Sequence, residues 1–487
     1  MTAFFLNASK LNYSYRALPV LHDISWQWLP GEQWACLGPN GSGKTTLAKL
    51  LSKQLRITSG ELHTSADLNT IAYVCFEQQQ ALCARDDRFD DSEMRADAHD
   101  PGTTVEQAIL NGEHASGEFS KWAQRLRIEH ILQRGIRFIS TGEMRKTLLL
   151  RAILSGPDLL ILDSPLDGLD IQSQAEMSTL IEDLLASPLR VMLLCRQAED
   201  LPKGVSHILA LNEGSIIASG ERETVLASAA VEAVLNPPQA DLGNLPAPAQ
   251  RAYSVAPDAP LLDLHSVNVS YDGVRVLHNV EWTFAHGQHC CVSGPNGCGK
   301  TTLLSLVTGD NHKAYGQDIT LFGVLRGSGE SVWDIKQKFG LVDTKLHLNF
   351  ARGMKALEVV VSGFFDTVGL YDDWGDQQRQ TASDWLQALG LGTYERESFD
   401  SLSFGVQRMV LLARAMVKSP QILILDEPCL GLDGPHRRTV LRAIDHIANN
   451  SDTQVIYVSH SSGEMPACIN QQVTFVPGSD GFDVVCR

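Results

Sequence analysis

The chain has 487 residues, 44% of them hydrophobic and 20% charged, and a formal charge of −17. That length fits two or three domains with sizeable cores, and the composition excludes wholesale disorder. The acidic balance argues against wrapping of nucleic acid, which needs concentrated Lys and Arg, and ten cysteines without a repeated Cys-x-x-Cys spacing indicate reduced thiols rather than a zinc site or disulfide framework.

In chain order, Met1 to Asn7 lacks the basic and apolar regions of a signal peptide, and no later apolar run approaches the roughly 18 residues that cross a bilayer. A cytoplasmic protein is expected, peripheral on the inner membrane only through a partner. Tyr15 comes next, followed by the apolar run Trp34-Ala-Cys-Leu37, which suits a buried strand. That run feeds a Gly-rich loop of Gly38, Pro39, Asn40, Gly41, Ser42, Gly43, Lys44, Thr45 and Thr46. Its glycines let backbone N–H groups turn towards phosphate oxygens, and the helix that follows adds its positive end. Lys44 is expected at the β- and γ-phosphates of ATP and Thr45 at Mg²⁺. Further on, Tyr73-Val-Cys-Phe-Glu leads to Gln78, and the acidic zone from Arg85 to Pro101 reads as a solvated loop. Ile139-Ser140-Thr141-Gly142-Glu143 opens a helix carrying Arg145, Lys146 and Arg151, with Ser140 and Glu143 spaced as a capping box. Leu159-Leu-Ile-Leu-Asp163 reads as a buried parallel strand that delivers Asp163 to the sheet edge, and Ser164 follows it.

The same order then returns about 256 to 264 residues later. Tyr271 precedes Cys290-Cys-Val and a second loop of Gly294, Pro295, Asn296, Gly297, Cys298, Gly299, Lys300, Thr301 and Thr302. Tyr15 to Lys44 and Tyr271 to Lys300 both span 29 residues. Phe339-Gly-Leu-Val-Asp343 runs into Thr344, and Leu402-Ser403-Phe404-Gly405-Val406 opens a helix with Arg408 and Arg414. Val406 cannot close a capping box on Ser403. Ile422-Leu-Ile-Leu-Asp426 is followed by Glu427, and Tyr457-Val-Ser-His460 comes last. A whole domain has been duplicated. Cassette one is set at 1–230, a Pro/Ala-rich semi-rigid linker at 231–259 and cassette two at 260–487. Cys298 lies inside the second loop and Cys36 beside the first, so thiol alkylation is expected to inhibit and ATP to protect.

These motifs resemble the ATP-binding cassette (ABC) ATPases over nearly the whole chain. The resemblance implies an α/β fold of two tandem P-loop NTPase domains. Each would hold a mostly parallel sheet, an antiparallel β subdomain and a helical signature subdomain. It implies ATP hydrolysis with Mg²⁺, held by Thr45 and Asp163 in one copy and by Thr301 and Asp426 in the other. Gln78 matches the Q-loop glutamine, a Mg²⁺ and water contact, two residues later than usual, while Thr344 takes that place in cassette two. Tyr15 and Tyr271 match the aromatic that stacks on adenine. Ser140 and Gly142, like Ser403 and Gly405, match the signature that contacts the γ-phosphate held by an opposite cassette, either of this chain or of a second copy. Gly168-Leu-Asp170 and Gly431-Leu-Asp433 match the D-loop. A narrower resemblance, carried by Leu304-Ser-Leu-Val-Thr-Gly-Asp310 and Gly327-Ser-Gly-Glu-Ser-Val-Trp-Asp-Ile-Lys336, is to the twin-cassette ATPases associated with molybdate-transport genes and also labelled photorepair proteins.

The resemblance also implies unequal sites. The family's catalytic glutamate matches Glu427 but Ser164 in cassette one, and its switch histidine matches His460. In cassette one the residue there is Arg196, or Gln197 if no gap is allowed. Site two is therefore expected to hydrolyse and site one to hold ATP durably. Two roles stay open: the ATPase of a membrane permease, with molybdate as a candidate solute, or an ATP-switched factor on ribosomes, nucleic acid or DNA repair. The short, Pro-rich, non-basic linker and the acidic total count against the second.

Overall fold

The computed structural model describes the chain apart from residues 1–4, 17, 67, 76–77, 79–81, 84–101, 113, 115, 240, 250, 252–254, 257–258, 272–273, 344–345, 347–349, 351, 371–373, 460–464 and 479–480. The acidic zone at 85–101, Thr344 and His460 therefore lie outside the described residues. The chain divides into two units, one of Met1–Pro238 with Asp433–Pro435 and the other of Gln239–Leu432 with His436–Arg487.

In cassette one the strands are β1 (Leu6–Tyr15), β2 (Leu18–Trp28), β3 (Trp34–Leu37), β4 (Ser59–Thr64), β5 (Ile71–Val74), β6 (Leu159–Asp163), β7 (Arg190–Cys195), β8 (His207–Asn212) and β9 (Ser215–Glu221). A core sheet runs β5-β6-β7-β3-β8-β9, parallel except for the β8–β9 hairpin. A separate antiparallel sheet runs β2-β1-β4. Cassette two repeats the plan with β10 (Leu262–Tyr271), β11 (Val274–Phe284), β12 (Cys290–Ser293), β13 (Asp318–Leu321), β14 (Val324–Leu325), β15 (Phe339–Val342), β16 (Ile422–Asp426), β17 (Gln454–Ser459), β18 (Gln471–Gly478) and β19 (Gly481–Cys486). Its core sheet runs β15-β16-β17-β12-β18-β19 and its antiparallel sheet β11-β10-β13-β14.

The apolar runs before the carboxylates are apolar throughout because both faces of the parallel sheet are covered. Side chains alternate along β6: Leu159 and Ile161 join the core shared with the antiparallel sheet, while Leu160 and Leu162 join the core under the helices. Along β16, Ile422 and Ile424 likewise part from Leu423 and Leu425. The strand then ends, and Asp163 or Asp426 is the first residue to leave the core.

The Pro/Ala-rich stretch does not hang free where it is described. Ala229–Leu235 is helical, and the chain beyond Gln239 docks along cassette two. Gly243 N–H donates to Ala388 O at 2.8 Å and Ala249 N–H to Ser419 Oγ at 2.8 Å. The Arg251 guanidinium donates to Ser419 O, Gln421 Oε1 and Pro420 O, and Leu242 and Leu245 pack on the helical core.

Candidate nucleotide sites

Each P-loop joins a central strand, β3 or β12, to a helix, Lys44–Leu51 or Lys300–Thr308. The residue that caps each helix is left-handed, Gly43 at φ +98° and Gly299 at φ +109°, a conformation that L side chains resist. Both lysines are buried and their ammonium groups turn onto the loop's own carbonyls. Lys44 donates to Gly38 O at 2.7 Å and Pro39 O at 2.8 Å, and Lys300 to Gly294 O at 2.9 Å and Pro295 O at 2.7 Å. Burial holds the Lys44 ammonium below its ordinary pKa, with the Arg196 guanidinium adding to the effect and Asp163 opposing it.

Thr45 and Asp163, 118 residues apart, meet at the edge of the sheet, where Thr45 Oγ1 donates to Asp163 Oδ2 at 2.7 Å. This is a hydroxyl and a carboxylate set together, hard oxygen donors of the kind that fit Mg²⁺. A residue that sequence reasoning missed joins them: Tyr73 OH donates to the same Oδ2 at 2.8 Å. Burial, then the neighbouring Asp163, pushes the Tyr73 phenol up, so it stays protonated and acts as donor. Gln78, expected at the metal, is committed elsewhere. Its Nε2 donates to Tyr73 O at 2.7 Å and its Oε1 accepts Cys75 N–H at 3.4 Å, which folds the amide back on the end of its own strand. Cassette two has Leu341 at the register place of Tyr73, since Tyr73 pairs with Ile161 and Leu341 with Ile424.

The residues after the two carboxylates occupy one backbone place. Ser164 N–H donates to Leu194 O at 3.0 Å and Glu427 N–H to Val458 O at 3.1 Å. Both are left-handed, at φ +47° and +53°. Sheet register also decides between Arg196 and Gln197. Cys195 pairs with Leu37, the residue before the first P-loop, and Ser459 pairs with Ser293, the residue before the second. Arg196 is thus the first residue after its strand, as His460, outside the described residues, is the first after Ser459 in sequence. Its guanidinium is paired with the Asp167 carboxylate. Arg145 clamps the same loop, Nη1 on Ser164 O at 3.0 Å and Nη2 on Asp167 O at 2.5 Å. Its counterpart Arg408 is buried and donates instead to Asp343 O at 3.2 Å.

Ser140 and Ser403 both cap the signature helices, Thr141–Leu154 and Phe404–Met416. Ser140 makes the reciprocal box with Glu143, whereas Ser403 Oγ only accepts Val406 N–H at 3.4 Å. The glycines two residues on have a packing reason. A Cβ on Gly142 would lie 2.9 Å from Ser173 Oγ, and one on Gly405 would lie 1.9 Å from His436 Cδ2. At the other end of the sites, the Tyr15 ring is 55% exposed and the Tyr271 ring 37%, as a surface that receives a flat ligand requires. The two thiols offered for alkylation are poor targets. Cys36 and Cys298 are buried, and burial pushes Cys36 up to about 12 and raises Cys298 as well.

The family model described as ABC transporter matches residues 21–167 and again 277–430. The chain is 37% identical over 451 residues to the ABC transporter ATP-binding protein ModF of Escherichia coli, covering 92% of each chain. It is 27% identical over 491 residues to an uncharacterized ABC transporter ATP-binding protein, C323.04, of Schizosaccharomyces pombe, covering 96% of this chain and 97% of that one. Among solved structures it is similar in fold to an archaeal ribosome recycling factor, aABCE1, crystallised with a ribosomal stalk protein. There the TM-score is 0.59 at 17% identity, with 98% of this chain and 89% of that one covered. RNase-L Inhibitor gives a TM-score of 0.57 at 17% identity, covering 98% and 90%. No helix among the described residues is long and apolar enough to cross a membrane.

Proposed function

Because the chain belongs to the ABC transporter family, as a twin-cassette ATP-binding protein and ATPase, we propose that cassette two converts ATP and water to ADP and phosphate while cassette one retains ATP. The observation that carries this reading is the shared backbone place of Ser164 and Glu427, bonded alike to the neighbouring strand and alike left-handed. At that place a carboxylate orients the attacking water and accepts its proton, whereas a hydroxyl is a poor base near neutral pH. The matching register of Cys195 and Ser459, the residues that precede Arg196 and His460 in sequence, supports the same division. In cassette two the P-loop N–H groups and Lys300 grip the phosphates, and Thr301 with Asp426 would hold Mg²⁺. When bound there, the ion would supply positive charge against the phosphate oxygens. In cassette one the Lys44 ammonium and the Thr45–Asp163 pair supply the grip.

We place this engine with a membrane permease of molybdate type, on the strength of the likeness to twin-cassette ATPases associated with such transport genes. Glu427→Gln should lower steady-state turnover by about 10²–10⁴-fold. Lys300→Ala should abolish turnover and Lys44→Ala should leave most of it. Strong loss confined to Lys44→Ala would reverse the assignment of the sites. For the partner, fractionation of native cell extract should carry the chain with a membrane permease; sedimentation with ribosomes instead would overturn the transport role and leave the ATPase chemistry standing.

A further inference from the structure

Bonded to the hydroxyl of Tyr271 stands a buried polar residue that none of the nucleotide motifs includes. Asn311 is only 8% exposed, and its amide is fully engaged. Nδ2 donates to Tyr271 OH at 2.7 Å and to Ser305 Oγ at 3.0 Å, while Oδ1 accepts Lys313 N–H at 3.0 Å. Ser305 lies on the helix that begins at Lys300, and its carbonyl receives both Asp310 N–H and Asn311 N–H at 3.1 Å. One buried amide thus ties the ring at the end of β10 to the far end of the P-loop helix. The Lys313 ammonium lies 5.8 Å from the ring centroid.

Cassette one has the same backbone and lacks the tie. Lys49 O receives Gln54 N–H at 2.8 Å and Leu55 N–H at 3.1 Å, the same turn, so Leu55 stands where Asn311 does and Lys49 where Ser305 does. Leu55 packs on the apolar core and has no polar atom to offer Tyr15. The Tyr15 ring instead has Arg16 over it, 5.4 Å from the centroid, and is more exposed than Tyr271.

We propose that Asn311 is a positioning residue for the base of the nucleotide at cassette two, fixing the Tyr271 ring relative to the P-loop so that base and phosphates are gripped by one rigid body. The inference rests on the reading of Tyr271 as the adenine platform. A tethered ring loses less freedom when a base stacks on it, and the tie shows as tighter binding of the purine end without a change in the chemical step.

The test is steady-state ATPase of the full chain, which on the reading above reports cassette two. Asn311→Ala and Tyr271→Phe, which keeps the ring but removes the hydroxyl, should each raise KM for ATP about 3–10-fold with kcat within twofold. The double variant should be no worse than either, because both remove one interaction. Inhibition by inorganic tripolyphosphate, which has no base, should be unchanged. An unaltered KM in Asn311→Ala, additive losses in the double variant, or tripolyphosphate inhibition weakened as much as ATP binding would each overturn the proposal. Tyr271→Ala is the control on the underlying reading. If it leaves KM unchanged, the adenine platform itself is wrong; if it raises KM while Asn311→Ala does not, only the role of Asn311 fails.

Discussion

Gly405 illustrates how one atom decides a residue. The position opens the signature helix of cassette two, and a methyl group there would overlap the His436 ring, with Cδ2 at 1.9 Å, Cγ at 2.2 Å and Cβ at 2.6 Å. Moving the ring away means repacking the start of the helix Gly434–Asn450 against its neighbours. Overpacking of this kind costs about 1–3 kcal/mol, so Gly405→Ala should lower the urea midpoint of cassette two. Combining it with His436→Ala should restore only part of the loss, because the ring is removed while the Cβ at 2.6 Å stays. Equal destabilisation with and without the ring would show that the ring is not what excludes a side chain at Gly405. In cassette one a Cβ on the counterpart glycine would press on the Ser173 hydroxymethyl group, a smaller neighbour, and meet Leu169 at ordinary contact distance, so the same substitution at Gly142 should be milder.

At the scale of elements, the two core sheets solve one problem with different chemistry. The N–H of the second residue in β7, Val191, is taken by Gln33 Oε1 at 3.0 Å. The matching N–H in β17, Val455, is taken by His289 Nδ1 at 3.1 Å. An imidazole can accept there only while Nδ1 is unprotonated. Burial lowers the His289 pKa, with Asp445 opposing. Since the folded value lies below the unfolded one, the stabilising contribution is complete above the ordinary histidine value of about 6.5 and is lost as pH falls below it. Unfolding of cassette two in urea should therefore become easier between pH 7 and more acidic conditions, and His289→Gln should flatten that part of the profile. A profile unchanged by the substitution would remove His289 as its source.

For the molecule as a whole, the proposed division of labour between cassettes has a stoichiometric consequence. Equilibrium dialysis with radiolabelled ATP should find two nucleotides per Glu427→Gln chain, since both P-loops keep their lysine and hydroxyl. Lys44→Ala in that background should leave one. Of the two in Glu427→Gln, the one held by cassette one should persist as ATP in the native protein too, because Ser164 replaces the base there. Recovery of only ADP from the native chain after extended incubation would show that cassette one also turns over.

The chain by itself determined what depends on local order and spacing. Equal distances from each tyrosine to its lysine, a Gly-rich loop after an apolar run, and a carboxylate ending each of two apolar runs were enough for the duplicated α/β fold, because strand burial and loop chemistry are written in consecutive residues. Only the tertiary structure decided matters that turn on register between segments far apart in sequence. Arg196, not Gln197, directly follows the strand partner of Leu37, Cys195, which no spacing within the segment reveals. Tyr73 rather than Gln78 meets Asp163, since a strand side chain reaches whatever its neighbouring strand presents, while the Gln78 amide, beyond the strand end, bonds back to the Tyr73 carbonyl. Asn311 reaches Tyr271 across 40 residues through a turn that Leu55 copies without the bond. Hydrogen bonds between side chains are short and directional, so their partners are set by where the backbone carries them, and that is a property of the folded sheet.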